Sequence, residues 1–474
     1  MADMSDMRTI AIVGAGFSGT LCTVNLLRLY AEAGNRNRLH ISLIERHARA
    51  GRGLAYRTWD DNFVLNVPAG NMSALADDPT HFVRYCHGID PAFNAGSFVS
   101  RRIYGDYLEA TLEQEIADHP EIMVERVHGD VLSARRCETG PPGGWQIALA
   151  DGRTIAARKV VLAFGHFAPQ DPAPASASDF YRSGAYIGNP WDFAALDHID
   201  DDAPVLLLGA AHTAIDVLFR LTNRSESRKI YLVSRRGLSL QSHRSHPQSP
   251  PISGFPPFFA RVEPTVRQYC RALRDTALKR MVDGGDWRDV INSLRPHTAD
   301  IWQRLPLAER RRFLRQLVAY WDVHRHRLAP VAHLRLSQMI KSGQVETMAA
   351  YVVDYVVDSE TQNGRVSVAL RERGTGRIRH ISVGKVVNCT GPNYDITIMD
   401  APLIGQLRDE GYLQQDALKL GFEIDAHYRV IGRDGVAADD LLYLGPMLKA
   451  RFWEAIAVPE LRGHARRLAA HLIC

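Results

Sequence analysis

The stretch Arg8–Tyr30, RTIAIVGAGFSGTLCTVNLLRLY, restricts the fold more than any other part of the chain. Thr9–Val13 is a short apolar, β-branched run, the pattern of a strand buried on both faces of a parallel sheet. It runs directly into Gly14-Ala15-Gly16-Phe17-Ser18-Gly19, a Gly-x-Gly-x-x-Gly loop, and Leu21, Val24 and Leu27 follow at helical spacing. Each glycine has its own task. Gly14 permits the tight turn, Gly16 leaves room for a pyrophosphate against the backbone, and Gly19 lets helix and strand pack closely. The helix N-terminus, with Phe17 and Ser18 in its first turn, then faces the phosphates. A second strand-like run, LHISLIERH, reaches Glu45, 26 residues after Gly19, with Arg46 beside it. A carboxylate at a strand end there accepts hydrogen bonds from ribose hydroxyls. Strand, loop, helix, strand and acid in register define a dinucleotide-binding unit.

The residues after Glu45 point to FAD. GRGLAYRTWDDNFVLNVPAGNMSALADDP (51–79) is a long connection without helical period, of the kind that lines a flavin ring. Gly53, Leu65, Asn66 and Met72 fall within it. Asn66 both donates and accepts, which suits the flavin edge or, alternatively, the fixing of a loop turn. Val131 precedes a meander of strands, RCETGPPGGWQIALADGRTIAARKVVLA, and is assigned to the same cofactor. Two strand-like pieces, KVVLAFGHFAPQDP (159–172) and KVVNCTGPNYD (385–395, containing Gly391), mark an exit from the FAD domain and a return to it. Near the C-terminus a helix is expected to begin around Pro459, with Val458 before it and Glu460 in its first turn. Its free N–H groups suit the flavin carbonyl where negative charge builds on reduction. Many flavoproteins carry Gly-Asp ahead of this helix; here the pair is Gly445-Pro446.

A second strand–turn–helix lies at Pro204–Arg220, PVLLLGAAHTAIDVLFR. Gly209 takes the turn, Ala211 stands where the second glycine would be and Ala214 where the third would. The Ala211 methyl holds a pyrophosphate off the backbone without blocking it. Thr213 is placed to cap the helix. A further strand, KIYLVSRRG, ends in Arg235 and Arg236, which fit a ribose 2′-phosphate and so NADPH. The other reading is a degenerate nucleotide fold with those arginines in a solvated loop.

Composition bounds the rest. A chain of 474 residues with 46% hydrophobic and 23% charged residues is an ordinary globular protein of two or three domains. A net charge of +4 gives no reason to invoke nucleic acid or membrane. The six cysteines form no Cys-x-x-Cys, so neither a zinc ribbon nor a redox-dithiol motif is present, and the pattern suits reduced thiols in a cytoplasm. His324 and His326 in VHRHR point to different helix faces, so no metal site is expected. Arg101, Arg102, His243, Arg244, His324, Arg325, His326 and Arg327 form either a pocket for a carboxylate-bearing small molecule, a hold on nucleotide phosphates, or plain surface charge. Residues 259–330 carry helical periodicity and read as an insert.

Segments along nearly the whole length give the chain a family resemblance. They are VGAGFSGT (13–20), GRGLAY (51–56), VLNVPAGNMSALADDP (64–79), RRIYGDYL (101–108), GNPWD (188–192), SRRGL (234–238), YWDVHRHRLAP (320–330), NCTGP (388–392) and LGPMLKARFWEAIAVPELRGHARRLA (444–469). The chain resembles bacterial FAD/NAD(P)-binding flavoproteins related to class B and N-hydroxylating monooxygenases. The resemblance implies an α/β fold with two Rossmann-like domains. The FAD domain would cover 1–190 and 337–474, and the NAD(P)H-type domain 191–336. It also implies NADPH-dependent hydroxylation of a small amine or amino acid through a flavin C4a-hydroperoxide, with Asn66, Met72 and Arg101 as catalytic candidates. The alternatives are an oxidase or dehydrogenase whose second domain is degenerate, or a non-catalytic flavin-binding protein.

Overall fold

The computed structural model describes residues 8–34, 38–58, 60–137, 144–172, 178–244, 255–357 and 365–473. Trp59 of the segment 51–79 and residues 138–143 of the meander lie outside these. The chain divides into two units. Unit 1 comprises residues 1–166, 298–303 and 394–474, and unit 2 comprises 167–297 and 304–393.

The first segment of unit 1 supplies β1 (Arg8–Val13), β2 (Leu39–Glu45), β3 (Met123–His128), β4 (Val131–Arg136), β5 (Trp145–Leu149), β6 (Thr154–Ala157) and β7 (Lys159–Leu162). Unit 2 supplies β8 (Tyr186–Ile187), β9 (Val205–Leu208), β10 (Ile230–Ser234), β11 (Val345–Val357), β12 (Val366–Glu372), β13 (Ile378–Val383) and β14 (Lys385–Asn388). β15 (Arg429–Ile431) and β16 (Ala437–Tyr443) return to unit 1.

Unit 1 is built on a six-stranded sheet, β15-β16-β7-β1-β2-β3, parallel except at the β15 edge. Ala11 and Ile12 of β1 are fully buried, as the β-branched run demands. β2 lies on one side of β1 and β7 on the other, so the strand order reverses there. Ligands of α/β sheets bind at such a reversal, outside the carboxyl ends of the strands. The helix Phe17–Glu32 packs against the helices Arg101–Asp118 and Val458–Ile473. The meander forms a separate antiparallel sheet, β4-β5-β6.

Unit 2 repeats the device. Its sheet runs β13-β12-β11-β10-β9-β14-β8, with β9 between β10 and β14 and these three parallel. β11 pairs in parallel with β10 through Ala349, then passes a bulge at Val352/Asp354 while pairing antiparallel with β12. Residues 257–325 are largely helical, as expected of the insert.

The division between units falls elsewhere than the sequence reading places it. Residues 167–190 and 337–393 belong to unit 2 because β11 pairs with β10 and β14 with β9 and β8. The crossings do follow the two strand-like pieces, at 166/167 and 393/394, and Phe167 and Asn393 form a β-bridge in unit 2. Among the described residues no helix is long and apolar enough to cross a membrane.

Candidate functional site

The glycine loop of unit 1 allows almost no side chain. Gly14 has φ +102°, and a Cβ there would lie 2.9 Å from Ala163 O at the end of β7. A Cβ on Gly19 would lie 1.8 Å from Gly14 O. Gly16 is the N-cap of the helix Phe17–Glu32, and its Cβ would meet the Cα of Gly53 at 3.3 Å. Gly51 N–H donates to Ala15 O (2.7 Å), which lays residues 51–53 against the loop. The helix has no side-chain cap and no acid in its first turn. Its first N–H groups therefore face outward from a bare, concave backbone, and this cradle fits a pyrophosphate.

Glu45 sits at the end of β2 and braces the loop. Its Oε2 accepts from Ala15 N–H (2.8 Å) and its Oε1 from His47 N–H (3.1 Å). Each carboxylate oxygen retains a lone pair for a ribose hydroxyl. Arg46 is exposed, and its carbonyl lies 3.2 Å from His128 Nε2. Gly129 N–H donates to Glu45 O (3.0 Å), so the turn into β4 brings Val131 to the same edge as Glu45.

The segment after the loop is fixed by the helix Arg101–Asp118. Arg52, 2% exposed, is bonded to Asp106 and to Glu109 (2.9 Å). Arg101 donates its N–H to Phe63 O (2.7 Å) and its Nε–H to Val64 O (3.3 Å). These bonds tie Arg101 to the segment that carries Asn66. Leu65 and Met72 are buried, each 2% exposed. Asn66 is half-buried beside Leu65. The sequence reading missed Arg52 and an aromatic cluster in which Tyr104 packs on Tyr56 (4.7 Å), Phe82 (4.9 Å) and Phe17 (6.5 Å). The signal was present, since Tyr104/Tyr107 and Asp106/Glu109 each stand three apart on one helix.

The C-terminal segment closes unit 1. A Cβ on Gly445 would lie 2.6 Å from Tyr443 Oη and 2.9 Å from Phe164 O, so the close approach requires glycine although the usual Asp is Pro446. Val458 opens the helix Val458–Ile473, with Pro459 second and Glu460 third. Just ahead, Trp453 has φ +59° and ψ −75°, and Glu454 N–H donates to Phe452 O (2.8 Å), a strained γ-turn. Trp453 stacks on Trp302 (4.7 Å), whose Nε1–H donates to Ala450 O (3.1 Å).

Two histidines of unit 1 are held neutral. Burial, then Lys449, pulls the pKa of His166 down from 6.5 to about 4, and burial, then Arg467, pulls that of His464 down to about 3. His166 Nδ1 lies 3.3 Å from Tyr394 Oη, joining the residue where the chain leaves unit 1 to the one where it returns. In the unfolded chain both titrate near 6.5, so acidification protonates that state first. Their contribution to stability is complete above pH ~6.5 and is lost as the pH falls, towards ~4 for His166 and ~3 for His464. Thermal melts of the apoprotein should drop steadily from pH 7 to 5, and His464→Gln should flatten that slope. An unchanged slope in His464→Gln would remove the histidine from the account.

In unit 2, Gly209 has φ +113°, and a Cβ there would lie 2.3 Å from Cys389 O beyond β14, the counterpart of Gly14 against Ala163. Ala211 is the N-cap of the helix His212–Arg224 with φ −92° and ψ −172°, close to the −70° and −161° of Gly16. Its methyl is exposed where a pyrophosphate would approach. The helix starts at His212, so Thr213 is its second residue and does not cap it, contrary to expectation. Ala214 is fully buried. Beyond β10, Arg236 donates to Arg315 O (3.1 Å) and stacks over Tyr320 (5.1 Å). Arg235 is exposed, and its carbonyl accepts from Arg373 (3.2 Å). Of the two arginines, Arg235 is the one whose guanidinium has no hydrogen bond or ion pair among the described residues. Gly391 has φ +102° with open space beside its Cα, in unit 2 just before the chain returns.

Residues 11–167 match the FAD-NAD(P)-binding family. An L-aspartate N-monooxygenase (nitrosuccinate-forming) of Streptomyces cremeus is 32% identical over 230 residues, covering 38% of this chain. The match spans about a third, 34%, of that relative's length. Among solved structures, L-lysine 6-monooxygenase of Pseudomonas syringae superposes with a TM-score of 0.66 at 17% identity, covering 98% of each chain. The reduced form of ornithine hydroxylase of Pseudomonas aeruginosa gives 0.65 at 15% identity, again over 98% of each. These two show the shared fold: Rossmann-like units with parallel sheets and a helical insert.

Proposed function

From the match of residues 11–167 to the FAD-NAD(P)-binding family, we propose that this chain is an FAD-dependent oxidoreductase that takes electrons from NADPH and N-hydroxylates a small amino acid or amine. The observation that carries the reading is the bare glycine cradle at the β1/β7 reversal, repeated at β9/β14 with one methyl added. Bound FAD would accept a hydride from a nicotinamide and react with dioxygen. The chain's own residues do the rest. The first-turn N–H groups after Gly16 hold the pyrophosphate, Glu45 accepts from the ribose, and residues 51–79, pinned by Arg52 and Arg101, present Asn66 to the flavin edge. The N-terminus of the helix at Val458 offers N–H donors to the carbonyl side of the ring. In unit 2 the helix at His212 takes the second pyrophosphate and Arg235 a 2′-phosphate.

Nitrogen as the site of oxidation is supported by the aspartate N-monooxygenase match and by the lysine and ornithine hydroxylases that share the fold. Oxidation of NADPH by the flavin-loaded protein should be stimulated by one member of an amino-acid and amine panel, with a hydroxylamine or its oxidation product formed in step. Oxidation that no member stimulates would favour an oxidase. Arg235→Ala should raise KM for NADPH roughly tenfold, the worth of one charge-assisted contact of about 1.4 kcal/mol, and leave KM for NADH nearly unchanged. Equal increases for both nucleotides would refute the phosphate role.

A further inference from the structure

Three segments of unit 2 bring arginines together. Residues 241–243 bond with residues 323 and 328: Gln241 N–H donates to Val323 O (3.1 Å), Leu328 N–H to Gln241 O (2.9 Å) and His243 N–H to Leu328 O (2.9 Å). The first turn of the helix Trp287–Ser293 joins them, since Arg288 Nε–H donates to Ser242 O (2.9 Å). Arg327 lies in this junction, 2% exposed, with its Nη2–H on Asn292 Oδ1 (2.6 Å). Its Nε and Nη1 are buried without a partner among the described residues, and so is Nε of Arg244. The neighbouring acids are already engaged: Asp289 with Arg244 and Arg280, and Asp286 with Arg288 (3.1 Å). Arg288 and Arg327 both lie over the Trp287 ring, at 4.4 and 5.9 Å.

A guanidinium does not shed its proton in a protein, so it cannot escape burial by going neutral. Burial, then the fields of Arg325 and Arg288, pulls the pKa of Arg327 down to about 9, the mark of a cation short of a counter-charge. Each buried donor left unpaired has lost its hydration with nothing in exchange. An acceptor-only, anionic group relieves both penalties. With Arg280 43% exposed and answered by solvent, Arg244, Arg288 and Arg327 face two acids, Asp286 and Asp289, which leaves one buried cation uncompensated, the charge that a single carboxylate supplies.

We propose that Arg327, with Arg244 and Arg288, is a binding site for the carboxylate of a small molecule. The site stands on the arginine geometry alone. Its assignment to an amino-acid substrate rests on the function proposed above.

Calorimetric titration of the flavin-loaded protein tests the site without turnover, using L-aspartate, L-lysine and acetate, with acetamide and inorganic phosphate as controls. The carboxylates are expected to bind and acetamide is not. Arg327→Gln should weaken carboxylate binding at least tenfold, and Arg327→Lys should recover part of it. Binding of 2′,5′-ADP should be unchanged in both variants. Should Arg327→Gln fail to fold, Arg244→Lys, which keeps the charge on Asp289 but removes the orphan Nε, should still weaken carboxylate binding. Absence of carboxylate binding, equal binding of acetate and acetamide, binding of phosphate alone, or full affinity in the variants would each overturn the proposal. Failure of the flavin reading would show separately, as a protein that retains no yellow colour.

Discussion

Gly19→Ala is expected to abolish FAD binding and to destabilise unit 1 by more than about 4 kcal/mol, the range reserved for backbone collisions and broken cores. The added Cβ would lie 1.8 Å from Gly14 O, and it meets main chain, so no rotamer change can relieve it. The helix Phe17–Glu32 would have to leave β1, taking the first-turn N–H groups with it. Gly16→Ala is the informative contrast. Its methyl would meet Gly53 Cα at 3.3 Å, a contact that a few tenths of an ångström relieve. That variant should fold, while its methyl occupies the space of the pyrophosphate and lowers FAD affinity. Flavin content after gel filtration and the midpoint of urea unfolding check both. A Gly19→Ala protein with normal flavin and stability would show that the loop is not built as described.

Arg52→Met is the second large effect. Arg52 is 2% exposed and answers both Asp106 and Glu109, whose side chains are 33% and 28% exposed. Removing one partner of a buried pair leaves the others uncompensated and costs about 3–5 kcal/mol. Because both acids reach solvent, about 3 kcal/mol is expected. Function should suffer as well, since Arg52 ties residues 51–53, which lie against the glycine loop through Gly51, to the helix Arg101–Asp118, and faster FAD release is the expected sign. Adding Asp106→Asn and Glu109→Gln to Arg52→Met should recover part of the stability, which a simple packing loss would not allow. Arg102→Ala removes a more exposed pair with Asp61, 35% and 61% exposed, and should change stability by less than ~1 kcal/mol.

The parts of the site that could be read from sequence are those whose cause is local. Gly14, Gly16, Gly19 and Glu45 lie within one strand–loop–helix–strand, and Gly209 repeats the first of them. The cap lies two positions before Thr213, because Ala211 copies the backbone of Gly16 and the helix begins at His212. The segment 51–79 has no period, so nothing in it says which side chains face inward. The burial of Met72 and the bond from Arg101 to Val64 O are therefore not legible there. Pairing at long range was invisible. β11 joins β10 across more than a hundred residues, which is why the sequence reading joins 337–393 to the FAD domain, and Arg52 meets Asp106 and Glu109 54 and 57 residues away. The γ-turn at Trp453 leaves no glycine or proline signal at all.

The most direct measurement is anaerobic stopped-flow mixing of the purified, FAD-reconstituted protein with NADPH, followed by the flavin absorbance. The expected result is a yellow protein that bleaches on mixing, more slowly in Arg235→Ala at limiting NADPH, and recovers colour when dioxygen is admitted. A protein that takes up no FAD, or a bound flavin that NADPH leaves oxidised, would contradict the assignment of unit 1 and unit 2 as a flavin site and its electron donor site.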